Sequence, residues 1–237
     1  HHPLHVHERA PPMSQSDRLS TVYASDEDVA VHAPGDFVVL APAWQKLAQG
    51  SDGVFASGQP WSLTSTTSDF EAAGVKPGHV IQLRGSAPSF KGSGEIFAAA
   101  GAEGGRLYIR RIGMSSNFSA PPVPASGLSG VEFLIATLDP QIEEASFELN
   151  RRFAIDPLIP GRTPRDLHDA RELRRACVLS VLVRRYAAES RGNDGDLARK
   201  LLQAESELTE ALARLDLRWG SASHRSSSSY FSTRIVR

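Results

Sequence analysis

The run Thr163-Pro164-Arg165-Asp166-Leu167-His168-Asp169-Ala170-Arg171-Glu172-Leu173-Arg174-Arg175-Ala176-Cys177-Val178-Leu179-Ser180-Val181-Leu182-Val183-Arg184-Arg185-Tyr186-Ala187-Ala188-Glu189-Ser190 organises the chain around it. It opens with a hydroxyl N-cap at Thr163, a proline at the first helical position and an acid at Asp166. These residues suit the orphan N–H groups of a helix start. From Leu167 the apolar positions Ala170, Leu173, Cys177, Val181 and Leu182 recur at helical spacing. Between Ala176 and Val183 the residues are apolar nearly all round, which predicts burial on more than one face. The run is too short to span a membrane and is flanked by Arg174, Arg175, Arg184 and Arg185. It reads as a core helix.

Composition sets few limits. The chain has 237 residues, 41% hydrophobic and 22% charged, which is ordinary for a folded globular protein of one large or two small domains. A net charge of −1 gives no global pull toward nucleic acid or an anionic membrane. The single cysteine, Cys177, excludes an intrachain disulfide and any multi-cysteine metal site, and suits a reducing compartment. Neither a transmembrane segment nor a signal-peptide hydrophobic region is expected.

The N-terminal residues His1–Pro12 precede Met13 and carry His1, His2, His5 and His7. They read as a poorly ordered arm, or as residues upstream of the native start, in preference to a metal-binding tract. Ser25-Asp26-Glu27-Asp28 predicts a capped helix start, and Pro34-Gly35 soon interrupts that helix. A second short helix is expected over Phe37–Ala48 with a break at Pro42, then a turn at Gly50-Ser51-Asp52-Gly53. From Val54 to Ala136 the period changes. Five strand-like runs begin at Trp61, His79, Glu95, Leu107 and Val131, separated by glycine and proline, and they predict a small barrel or sandwich. Asp69–Val75 predicts a single helical turn, and Ser115–Ser129 a surface loop.

Asp139-Pro140 restarts the helical pattern, with Asp139 as the N-cap and a proline at the first helical position. Ile142, Ala145, Ser146, Leu149 and Phe153 share one face, while Glu143, Glu144 and Glu148 point outward. A last helix is expected from about Asp196 to Leu217 with a stripe of Leu197, Leu201, Leu208, Leu212 and Leu215. The expected fold class is α+β: an antiparallel helical bundle framework with an inserted small β-barrel or sandwich and an extended C-terminal tail. Residues 1–18 form a flexible arm in this reading. Residues 19–50 and 138–220 form the helical body, 51–137 the inserted β domain and 221–237 the tail.

No active site emerges from the residues. Cys177 and His168 lie nine positions apart, about 13 Å along one helix axis, and face different ways. Cys177 reads as a buried, inert thiol. Gly85–Gly92 lacks the glycine before Lys91 and the hydroxyl after it that a phosphate loop needs, so it reads as a hairpin loop. Gly127-Leu128-Ser129-Gly130 has the wrong spacing for a nucleophile elbow. No His/Asp/Glu cluster shows metal-ligand spacing. The pairs Arg110-Arg111, Arg151-Arg152, Arg174-Arg175 and Arg184-Arg185 alternate with acids, unlike a nucleic-acid stripe. The expectation is a chain with no enzymatic activity, cofactor or metal.

Three stretches resemble the head–tail connector (adaptor) proteins of tailed bacteriophages. Tyr23-Ala24-Ser25-Asp26-Glu27-Asp28-Val29 resembles the family's opening, an aromatic-Ala-Thr/Ser leading into a short acidic helix. Gln141–Phe153 resembles its second helix, where acids and small residues precede a basic-aromatic end. Leu173–Tyr186 resembles its central apolar helix ending near a tyrosine. The β segment Val54–Ala136 is a departure from a minimal adaptor. The resemblance implies a structural virion protein, assembled in the host cytoplasm and located in the neck between capsid and tail. It implies a homo-oligomeric ring, twelvefold in the family, that binds the portal and other neck or tail proteins. DNA would pass through its lumen without sequence-specific binding.

The tail Ser221–Arg237 combines a serine-rich tether with Tyr230, Phe231, Arg234, Ile235 and Arg237. The family's C-terminal segment reaches the portal, so the resemblance implies that these five residues dock there. Two other readings stand beside this one. The chain is a different neck or tail component, such as a tail-completion or baseplate protein using the β domain as its main interface. Otherwise it is a binding module or enzyme with its site on the barrel.

Overall fold

The computed structural model describes residues 22–56, 60–85, 95–113, 128–156, 158–159, 161–164, 167, 171–190 and 195–215. Its body is a closed six-stranded barrel: β1 (Lys46–Ala56), β2 (Trp61–Thr64), β3 (Val80–Arg84), β4 (Glu95–Glu103), β5 (Arg106–Arg111) and β6 (Leu128–Ala136). The strand order is β1-β2-β5-β4-β3-β6, with β6 pairing β1 to close the ring and every pair antiparallel. Closure leaves no free sheet edge. The alternating residues Trp61, Leu63, Ile81, Leu83, Phe97, Ala99, Leu107, Ile109, Val131, Phe133 and Ile135 point inward and are buried. Their aromatic rings meet edge-on, Trp61 with Phe97 at 6.3 Å and Phe70 with Phe133 at 5.4 Å, so side chains fill the barrel.

Five helices accompany the barrel: α1 (Asp26–His32), α2 (Phe37–Leu40), α3 (Asp139–Phe153), α4 (Arg171–Glu189) and α5 (Gly195–Arg214). The apolar helix expected around Cys177 is the hub, and α1, α2, α3 and α5 all pack against it as α4. Leu173, Ala176, Cys177, Val178, Leu179, Val181, Leu182 and Tyr186 are buried along its length. Helix α5 sinks Ala204 and Ala211 and lays its leucine stripe, half-buried, against the same core. That core also takes in Val80 of β3 and Ala136 of β6, which pair with each other across the barrel wall.

These observations overturn the expected fold class. The protein mixes helices and strands, but it is not a helical bundle framework. Helices α1 and α2 span seven and four residues, too short for bundle members. The barrel is a closed structure in its own right, and the helices pack as a layer against it. The expected helix over Phe37–Ala48 stops at Leu40, because Pro42 supplies no N–H to continue it. Strand β1 starts at Lys46 and runs through the expected boundary at residue 50. Gly50-Ser51-Asp52-Gly53 is therefore part of a bulged strand and not a turn. A Cβ at Gly53 would stand 2.6 Å from the Val131 carbonyl oxygen, so glycine is what lets β1 approach β6.

Helix α4 is described from Arg171; upstream of it the Leu167 N–H donates to the Pro164 carbonyl at 3.4 Å and Leu167 packs half-buried against the helical core, while residues 165–166 and 168–170 lie outside the described residues. One helix start moves. The N-cap of α3 is Leu138, with Asp139 in the first turn. The capping box at Ser25 and Asp28 is as expected. Of the expected loop Ser115–Ser129, Leu128 and Ser129 belong to β6 and the rest lies outside the described residues, as do His1–Pro12.

Candidate functional site at the helix–barrel joint

Where the helical layer meets the barrel, Asp26, His79 and Asp139 come together. Asp26 opens α1, His79 leads into β3 and Asp139 opens α3 directly after β6. One ligand atom from each lies within 4.8 Å of the others. Asp26 and His79 are buried, at 2% and 5% exposure, while Asp139 reaches solvent. The Leu138 N–H donates to Asp26 Oδ1 at 2.6 Å, which ties α1 to the entry of α3. Asp26 Oδ2 is buried and has no hydrogen-bond partner.

The ring of His79 is held in one tautomer. The Lys76 N–H donates to His79 Nδ1 at 3.1 Å, so the neutral ring carries its proton on Nε2. Nε2 faces Asp139 Oδ2 at 3.4 Å. A metal bound at Nε2 would need that lone pair free and a proton on Nδ1, directed at the Lys76 N–H. The arrangement suits a shared proton better than a cation. Burial, and then the charge of Asp139, push Asp26 up to about 7, against hydrogen bonds from the Leu138 N–H and Thr137 that favour its charged form. Asp139 moves the other way: the His79 hydrogen bond holds it below the usual carboxylate range.

Sequence reading missed this cluster because its members come from three distant segments. Each had a local role: Asp26 as a first-turn acid, Asp139 as an N-cap, His79 as the head of a strand run. The one sequence signal is a histidine set directly before an apolar strand, Val80-Ile81.

The other candidates resolve singly. Cys177 is buried, 3.4 Å from Ser146 Oγ, and burial raises its thiol pKa, so it is an inert core group; His168 lies outside the described residues. Glu143 and Glu144 are exposed on α3. Several arginines are engaged: Arg110 with Glu27, Arg174 with Asp28, Arg184 with Glu144 and Glu148, and Arg185 with Glu189 and the Leu40 carbonyl. Outside the barrel, Gln82, Arg84 and Glu132 line an open groove of about 380 Å³. The five expected docking residues, Tyr230, Phe231, Arg234, Ile235 and Arg237, lie outside the described residues. No family model, curated protein or solved structure matches the chain.

Proposed function

We propose that this protein is a structural neck component of a tailed bacteriophage, an adaptor that assembles as a ring beneath the portal and extends the DNA channel toward the tail. One observation carries the reading: the three stretches that resemble the adaptor family meet at a single residue, Ser146. The Tyr23 N–H donates to Ser146 Oγ at 3.1 Å, and Ser146 Oγ lies 3.4 Å from Cys177 Sγ. The opening segment, the second helix and the central apolar helix thus pack as one unit. Trp44, Phe147 and Leu202 expose 71%, 53% and 67% of their surface and offer apolar material for contacts between copies. The barrel interior is packed with its own buried side chains, Phe55, Trp61, Phe97 and Phe133 among them.

Native mass measurement tests this on the full chain, alone and mixed with the portal protein of the same particle. A closed ring, or a complex with the portal, is the expected species. A chain that stays monomeric and does not join the portal contradicts the proposal.

A further inference from the structure

We propose that the folded protein keeps a proton on Asp26 and that this proton latches the helical layer to the barrel, so that the joint loosens when the proton leaves. The geometry supports the latch independently of the adaptor reading. Three acids occupy the first turn of α1, and two have their own cation: Glu27 is held by Arg110 of β5, and Asp28 faces Arg174 of α4 at 4.0 Å. Among the described residues, Asp26 has no ion-pair partner, although it is the most deeply buried of the three.

The titratable groups around it are few. From the approach to β3 come His79 and, further out, Lys76, whose charge acts on Asp139. From the start of α3 comes Asp139 itself. Ionised Asp26 would sit buried beside a second carboxylate, and the Leu138 and Thr137 hydrogen bonds and the nearby His79 offset only part of that cost. As the neutral acid it keeps the Leu138 N–H on Oδ1 and places a hydroxyl at the oxygen that otherwise lacks a partner. Loss of the proton to solvent, past the exposed Asp139, is a simple acid dissociation. It sets like charges across the α1–α3 junction and weakens the contact of α1 with the barrel.

The sign follows from linkage. The folded-state pKa of Asp26 lies above its unfolded value of 3.8, so its ionisation lowers stability as pH rises from 3.8 to about 7, and the loss then levels off.

The test is a ¹³C NMR titration of the Asp26 carboxyl carbon in the full chain, assigned through its own Cβ. The expected midpoint lies near 7. A midpoint near 3.8, or one that Zn²⁺ displaces downward, overturns the proposal, the second in favour of a cation site. Thermal melts of Asp26→Asn, which keeps the acceptor for Leu138 and a donor at the second position, supply the other arm. Wild type should lose more melting temperature between pH 5 and pH 8 than the variant does. Equal losses would overturn the latch.

Discussion

Leu182 sits at 2% exposure in the middle of α4, where α1, α2, α3 and α5 converge. A carboxylate there has no partner, so Leu182→Asp should cost about 4 kcal/mol or more and abolish cooperative unfolding. Circular dichroism melts check this; a variant melting like wild type would place Leu182 at the surface. Asp52 is a different kind of residue. Although partial desolvation raises its pKa, donors outweigh it: the Thr66 N–H, then Ser65 and Thr66 hydroxyls and Thr67 hold it below the usual carboxylate range. One carboxylate in β1 thus fixes the turn after β2. A lowered folded pKa stabilises above the unfolded value and is lost as pH falls. Asp52→Ala should therefore lower the melting temperature at pH 7, with a penalty that shrinks as the pH drops well below 3.8. A penalty independent of pH would mean that the charge of Asp52 contributes nothing.

At the scale of elements, the helical layer and the barrel share material. Val80 and Ala136 lie in the helices' core, Asp26 bonds to Leu138, and Glu27 is bound by Arg110 of β5. The ends of the β segment lie together, since Lys46 pairs with Ala136, but the shared core ties the segment to the helices. Replacing residues 51–137 by a Gly/Ser linker should abolish the cooperative helical melt; a variant with a preserved helical transition would show two independent cores. The elements legible in the sequence were those with local signals: the capping box at Ser25, the face of Ile142, Ala145 and Leu149, and the apolar middle of α4. Strand β1 was illegible because Gly50 and Gly53 imitate a turn, and only their approach to Phe133 and Val131 explains them. The Asp26–His79–Asp139 cluster was illegible because tertiary closure alone creates it.

For the whole molecule, the adaptor proposal assigns two contact systems: the folded body, which would meet its copies, and the tail, which would meet the portal. Tyr230, Phe231 and Ile235 are apolar anchors on a serine-rich tether, and Arg234 and Arg237 add planar donors. Truncation after Trp219 should leave the melting temperature within about 2 °C of wild type, since a serine-rich tether carries few groups to bury, yet abolish capture by the portal. A truncated chain that still binds the portal with unchanged affinity would remove the docking role from these residues.

The adaptor proposal meets its most direct test in an electron cryo-microscopy reconstruction of a particle that contains this protein. The expected density is a ring directly beneath the portal, each subunit a closed six-stranded barrel bearing the α1–α5 layer around the lumen. Density for this fold located only in the baseplate or tail tip, or absent from the virion, would contradict it.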